Sequence, residues 1–127
     1  MANDYLDVPE GLVQRVRAAC AHLPEAYEEQ AFAGVYWRIR GRTLAHLVTR
    51  DLEHGPTTYV TFHSRGAELE ALVAMGHPFH PGWGPGLVAL VLYEDGTTDW
   101  DEVRELLTDS YCILAPKKLI ARLEANP

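Results

Sequence analysis

The chain has 127 residues, the length of one domain, and we expect residues 1–127 to fold as a single unit. Its hydrophobic fraction of 47% excludes an intrinsically disordered chain. The longest apolar run, residues 87–92, is too short to cross a bilayer, so we expect no membrane partner. The net charge of −7 opposes long-range attraction to nucleic acid, because such binding comes largely from neutralised phosphates.

The amino terminus and the cysteines indicate the cellular compartment. Residues 1–7 have neither the basic start nor the apolar core of a secretory signal peptide. The two cysteines, Cys20 and Cys112, are fewer and farther apart than those of a disulfide-stabilised secreted domain. We therefore expect reduced thiols and a cytoplasmic protein.

A first helix is predicted before residue 24. Asp7 is a suitable N-cap, Pro9 is tolerated in the first turn, and Pro24 ends the helix. Apolar residues recur at helical spacing on one side of it, namely Leu12, Val13, Val16, Ala19, Cys20 and Leu23. This side of the helix should be buried.

Three strands should follow this helix. Residues 35–40 are rich in β-branched and aromatic side chains, and a turn at Gly41 and Arg42 joins them to a return strand at 43–49. A further turn precedes a third strand at 57–63. Short connections of this kind predict antiparallel pairing.

The next segment contains a helix, a loop and a strand. The helix at 66–75 should be capped by Ser64 and closed by Gly76. The proline- and glycine-rich residues 77–86 predict a loop, and the continuous apolar run at 87–93 predicts a buried strand.

Two helices should end the chain. Asp99 is the predicted N-cap of the first, with Glu102 completing a capping box, and Pro116 opens the second. The element order is therefore α-β-β-β-α-β-α-α. Hairpins without βαβ crossovers predict a single α+β domain in which helices pack on an antiparallel sheet.

No nucleophile with an activating base is recognisable in the sequence. Cys20 lies on the apolar stripe of the first helix and Cys112 in an apolar stretch, where burial disfavours a reactive thiolate. Neither Ser64 nor Ser110 lies in a Gly-x-Ser-x-Gly motif, and no glycine loop of the phosphate-binding type is present. The sequence therefore favours a non-catalytic protein without a cofactor.

The loop at 77–86 carries candidate side chains for a ligand or a partner. His77 and His80 could share a metal ion, but a stable zinc site needs a third and usually a fourth ligand, so we expect no metal. Trp83 could stack on a bound ligand or a partner. We therefore take His77, His80 and Trp83 as candidate binding residues, with packing of the loop onto the sheet as the alternative.

Two groups of cations are candidates for phosphate contacts. Arg38, Arg40 and Arg42 alternate along the predicted hairpin and could form a basic row on one strand face, because residues two apart share a face. Lys117 and Lys118 begin the last helix, where the helix dipole disfavours cations, and Arg122 follows on the same helix. The alternative is a solvated surface whose cations pair with the surplus of acidic side chains.

Four stretches together resemble the MmcQ/YjbR family. They are Leu-Pro-Glu-Ala-Tyr-Glu-Glu at 23–29, Arg-Ile-Arg-Gly-Arg-Thr-Leu-Ala at 38–45, Glu-Leu-Leu-Thr-Asp-Ser-Tyr at 105–111 and Pro-Lys-Lys-Leu at 116–119. The resemblance implies a double-wing α+β fold and a DNA-binding or regulatory role, since that is the usual label of the family. It implies no reaction and no catalytic residue.

Two functional hypotheses follow from the sequence. The first is a DNA-binding or regulatory module, which would contact phosphates through Arg38, Arg40, Arg42, Lys117 and Lys118. The second is a non-catalytic module that binds a protein or a small ligand through the loop at 77–86. This loop has no lysine or arginine, in contrast to the basic loop of the family, which weakens any phosphate contact there.

Overall fold

The computed structural model describes residues 4–125, so residues 1–3 and 126–127 of the expected domain lie outside the described part. The described elements, in chain order, are β1 (Tyr5–Leu6), α1 (Glu10–Cys20), β2 (Tyr27–Gln30), β3 (Val35–Ile39), β4 (Arg42–Leu52), β5 (Gly55–His63), α2 (Gly66–Met75), β6 (Phe79–Pro81), β7 (Leu87–Leu92), α3 (Trp100–Leu114) and α4 (Lys117–Ala125). No helix within residues 4–125 is long and apolar enough to cross a membrane.

The strands form one antiparallel sheet in the order β2-β3-β4-β5-β7-β6. β1 pairs with Thr49 and Arg50 in the C-terminal part of β4. In this register Tyr36 lies opposite His46, and Val60 lies opposite Leu90. The sheet is built from hairpins, together with a crossover through α2 and the 77–86 loop. The prediction of a single α+β domain with an antiparallel sheet is confirmed.

Alternation along the strands gives the sheet two different faces. One face buries Trp37, Leu47, Val60 and Leu90 beneath the helices, with α3 packed on β4 and β5 and α1 packed on α3. The other face, which we call the open face, carries half-buried side chains on the central strands. These are Tyr36, His46, Tyr59, Thr61 and Ala89.

Three short strands, β1, β2 and β6, were not predicted. Their sequences lack the alternation of apolar and polar residues, because both β1 and β2 are exposed along their full length. β6 consists of Phe79, His80 and Pro81, and proline is typical of a sheet edge, where it need not donate to a neighbouring strand. The four long strands and the four helices were predicted correctly in order and type.

Two predicted helix caps are wrong. α1 begins after Pro9, which occupies the N-cap position without a side-chain bond, and Asp7 lies outside the helix. α2 follows Arg65, and the Ser64 hydroxyl is buried without a hydrogen-bond partner. In both cases the chain enters the helix from an extended segment that positions a different residue at its end.

The predicted caps at Asp99 and Gly76 are confirmed. Asp99 Oδ1 accepts hydrogen bonds from the backbone nitrogens of Asp101 and Glu102, each at 3.1 Å. Gly76 closes α2 with a φ of 74°, a left-handed conformation that suits glycine. The helix that follows Asp99 is continuous from Trp100 to Leu114.

Candidate functional site

The expected row of three arginines on one strand face is wrong. β3 ends at Ile39, and Arg40 and Gly41 form the two-residue turn, with φ values of 50° and 78°. Since the turn interrupts the strand, alternation no longer relates Arg38 to Arg42. The turn also lies one residue earlier than the sequence signal indicated.

Arg38 is held by an acidic neighbour on the open face. Its Nη1 donates to Glu29 Oε2 at 3.2 Å, and its guanidinium carbon lies 5.6 Å from the ring centroid of Tyr36. A further bond from Nη2 to the carbonyl of Gly41 joins the side chain to the turn. These contacts engage Nη1 and Nη2, whereas Nε is buried without a hydrogen-bond partner.

Arg40 belongs to a separate group of charges around Glu25. Glu25 Oε1 accepts from Arg40 Nε at 2.9 Å, and Glu25 Oε2 accepts from Arg122 Nη1 at 3.2 Å. The hydrogen bond from Arg40, with the charges of Arg40, Arg122 and Lys118, lowers the pKa of the Glu25 carboxyl. We call Glu25, Arg40, Lys118 and Arg122 the Glu25 cluster.

The remaining two candidate cations lie at the junction of α3 and α4. Arg42 Nη1 approaches the carbonyl oxygen of Leu114, the last residue of α3, at 3.4 Å. Lys117 is the exposed first residue of α4. Of the five predicted cations, the structure therefore brings Arg40 and Lys118 together, whereas Arg38 belongs to another contact.

The predicted loop residues, in contrast, share one cavity. It has a volume of about 680 Å³ and extends from the open face of β5 and β7 around the strand ends to the start of α1. His77, His80 and Trp83 line it, as do Tyr59 and Val91. The loop therefore closes one side of a concave, largely apolar site.

A chain of three polar side chains lies along this cavity. His77 Nδ1 is 3.0 Å from His80 Nε2, and His77 Nε2 is 2.7 Å from the hydroxyl of Tyr93. Both ring nitrogens of His77 are therefore engaged. The imidazole of His77 meets its two neighbours edge-on, at interplanar angles of 67° and 66°.

Trp83 is presented by a tight turn of the loop. The backbone nitrogen of Gly82 donates to the carbonyl of Leu87 at 2.8 Å, and a Cβ on Gly82 would lie 2.6 Å from Leu87 Cβ. Only glycine allows this close approach. The turn leaves the Trp83 side chain 83% exposed beside the cavity.

Sequence reasoning missed Tyr93, Tyr59 and His54, which also line the cavity. Tyr93 lies just beyond β7 and is the polar end of an otherwise apolar run, which was the available signal. Tyr59 and His54 become neighbours of the loop only through the pairing of β5 with β7, and that pairing is not encoded locally.

Burial raises the pKa of both cysteine thiols. Burial, with a smaller contribution from the charge of Glu28, raises the pKa of Cys20 to about 12. Burial also raises the pKa of Cys112, followed by the charges of Asp109 and Glu124. Within residues 4–125, no group of three or more histidine, cysteine or acidic side chains is arranged to hold a metal ion.

The chain belongs to the YjbR family, because the YjbR family model matches residues 21–113, more than half of its length. This match confirms the resemblance seen in the sequence. The matched region contains the arginine hairpin, the 77–86 loop and Tyr93, but it ends before Lys117 and Lys118. No curated protein matches the chain.

Proposed function

We propose that this YjbR family protein is a non-catalytic binding module that takes a small, flat and mostly apolar ligand in the cavity beside Trp83. We further propose that it acts in the cytoplasm as one domain over residues 1–127. The observation that carries the proposal is the convergence of His77, His80, Trp83 and Tyr93 on one concave site.

The size and lining of the cavity support a small-molecule ligand. About 680 Å³ lies within the usual range of ligand pockets, roughly 300–1,000 Å³. Such pockets combine apolar and aromatic walls with a few polar groups that set orientation. Here Val91 and Ala89 supply apolar walls, and the His77 chain supplies the polar groups.

The exposure of Trp83 supports a stacking role. An indole side chain is among the largest apolar surfaces that a protein can carry, and leaving it 83% exposed forgoes its burial. Trp37 contrasts with it, since that indole is 3% exposed in the core. A flat ligand placed against Trp83 would cover the exposed ring.

A neutral aromatic probe tests this proposal. Naphthalene-2-carboxamide should bind saturably and shift the NMR signals of the Trp83 indole and of the Ala89 and Val91 methyl groups. Trp83→Ala should weaken binding about threefold to tenfold, the worth of one aromatic contact. Phe32→Ala is the matched control, because Phe32 is 98% exposed and does not line the cavity. Absence of saturable shifts in these groups, or equal weakening by both variants, would contradict the proposal.

A second candidate function is binding of duplex DNA through the Glu25 cluster. The specific observation in its favour is the meeting of Arg40, Lys118 and Arg122 at a single carboxylate, on a chain that is otherwise acidic. Against it, Arg38 is paired with Glu29, and two further arginines are paired with acidic residues. These are Arg17 with Glu28 at 2.7 Å and Arg50 with Asp4 at 2.5 Å.

The DNA hypothesis makes a distinctive prediction at Glu25. Glu25→Gln removes the competing carboxylate, so the affinity for a labelled duplex, measured by fluorescence anisotropy, should rise. Lys118→Gln with Arg122→Gln should lower it and flatten its salt dependence, because each phosphate contact contributes about 0.9 to the logarithmic slope. Arg65→Gln, at the start of α2, is the control. Affinity that ignores salt, or that falls equally in the control, rules out this candidate.

A further inference from the structure

We infer that the natural ligand of the cavity is a small organic acid, whose oxyanion is bound at the chain formed by His80, His77 and Tyr93. This inference rests on the proposed function of the cavity and adds the chemical class of the ligand. The geometry of this hydrogen-bonded chain and the charges along the cavity wall support the inference.

The geometry of the chain limits where its protons can be. A hydrogen bond between His77 Nδ1 and His80 Nε2 holds one proton, and the bond between His77 Nε2 and the Tyr93 oxygen holds another. When His80, His77 and Tyr93 are all neutral, their two hydrogen bonds donate in the same direction. Only one end of this hydrogen-bonded chain then has a free donor.

Adding one proton changes both ends of the chain. His77 then donates from both ring nitrogens, to His80 Nε2 and to the Tyr93 oxygen. His80 keeps its remaining proton on Nδ1, and Tyr93 keeps its hydroxyl proton. The protonated chain therefore carries one positive charge and has a free donor at each end, and that charge favours an oxyanion at either donor.

The other charges of the cavity leave this role to the histidines. Within the described residues, no lysine or arginine lines the cavity. The other titratable side chains in its wall are His54, Tyr59 and Glu94. Glu94 directs Oε2 against Gly11 in the first turn of α1, at the helix end where a carboxylate is favoured.

A shared metal ion is the competing explanation of two imidazole nitrogens 3.0 Å apart. A zinc ion about 2.0–2.1 Å from each nitrogen could replace the hydrogen bond, but a stable site requires further protein ligands. No group of three or more metal-binding side chains is present within residues 4–125, and Tyr93 meets the opposite nitrogen of His77. The hydrogen-bonded chain is therefore the better account.

The test uses two probes that differ only in charge, naphthalene-2-carboxylate and naphthalene-2-carboxamide. Isothermal titration is carried out with excess EDTA at about pH 6 and about pH 8, which bracket the titration of imidazoles. We expect the carboxylate to bind about tenfold tighter at the lower pH, with uptake of up to one proton per ligand. Proton uptake is measured by comparing buffers with different ionisation enthalpies. The carboxamide should bind with equal affinity at both pH values.

Matched histidine variants locate the effect. His77→Gln keeps hydrogen-bonding capacity but cannot carry a charge, so it should abolish both the pH dependence and the proton uptake. His54→Gln should leave both intact, because His54 lines the cavity outside the chain. Tyr93→Phe removes the hydroxyl at one end and should weaken the carboxylate more than the carboxamide.

The outcomes separate this inference from the proposed function. Binding of the carboxamide, combined with a carboxylate affinity that ignores pH or a pH dependence retained in His77→Gln, overturns the acid ligand and leaves the cavity function standing. Carboxylate binding that is lost when EDTA is added also overturns it, since a metal ion would then hold the acid. If the carboxamide does not bind, the proposed function itself is overturned, whether or not the carboxylate binds.

Discussion

Glu25 Oε1 accepts a hydrogen bond from Arg40 Nε at 2.9 Å, and these two residues are the non-glycine residues with positive φ among residues 4–125. Their φ values are 61° and 50°, in the left-handed region. That conformation costs a non-glycine residue roughly 1–2 kcal/mol. The ion pair is exposed and contributes less than this, so the strain must be borne by the surrounding fold.

Replacing Arg40 should reveal the strain. Arg40→Asn and Arg40→Ala both remove the ion pair, but asparagine tolerates the left-handed conformation, and Asn-Gly suits a two-residue hairpin turn. We expect the free energy of unfolding in urea to be about 1 kcal/mol higher for Arg40→Asn than for Arg40→Ala. The same two substitutions at Arg42, which has no positive φ, should differ little. Equal stabilities at Arg40 would contradict the account of the turn.

The two serines of the chain provide a second, matched prediction. Ser110 Oγ accepts from the backbone nitrogen of His63 at 2.9 Å and donates to the carbonyl of Leu44 at 2.7 Å, which joins α3 to β4 and β5. Ser110→Ala should cost about 2 kcal/mol, because it leaves two backbone groups without this partner. Ser64→Ala should be neutral or stabilising, since its buried hydroxyl has no partner. Chemical denaturation of both variants checks the contrast, and equal effects would contradict it.

The long elements were predictable because their residues are locally consistent. Asp99 is the N-cap of α3, and the short apolar run before Tyr93 favours a buried strand. Ser64 shows the limit of this reasoning. Serine is a common helix cap, but the Ser64 backbone nitrogen donates to the carbonyl of Gly86, on a distant loop, which holds Ser64 at the end of β5 and outside the helix.

The candidate site was predicted in part, for a related reason. His77, His80 and Trp83 were identified because unusual residue types cluster within one short loop. The arginine row failed because a single turn at Arg40 reverses the chain, and strand periodicity holds only within one strand. The partner of His77, Tyr93, is sixteen residues away and is brought to it by the fold.

A pair of carboxyl groups between α2 and α3 should make stability depend on acid pH. Burial raises the pKa of Glu68, and the charge and hydrogen bond of Asp109 raise it further. A raised pKa in the folded state means that stability falls as pH rises above the ordinary value of 4.5. Glu68→Gln should therefore stabilise the protein near neutral pH, by less than about 1 kcal/mol because the site is largely exposed.

The control for this prediction is Glu70→Gln, an exposed carboxyl one helical position beyond Leu69 on α2. Thermal unfolding at about pH 7 and about pH 4 should show that the stability gained by Glu68→Gln shrinks at the lower pH. There the Glu68 carboxyl is mostly protonated and therefore neutral, as glutamine is. A gain that is equal at the two pH values, or equal in the control, would point to helix propensity instead.

Cys20 should produce the opposite limit, a loss of stability in alkali. Its pKa rises from an ordinary 9.0 to about 12 in the folded protein, chiefly because the thiol is buried in α1. The unfolded chain therefore releases the thiol proton first as pH increases, and the native state loses stability between about pH 9 and about pH 12. At about pH 10.5 the loss due to this group should reach about 2 kcal/mol.

Comparison with Cys20→Ala isolates this contribution from the titration of tyrosines and lysines. The variant loses a buried sulfur and should be less stable at about pH 8, where a small core cavity costs about 1 kcal/mol or more. Because alanine cannot ionise, the difference between the two proteins should narrow as pH rises, and the order should reverse if the cavity cost is below the alkaline loss. Parallel urea-unfolding stabilities across this range would show that the thiol ionises as readily in the folded protein as in the unfolded chain, and that burial in α1 does not protect it.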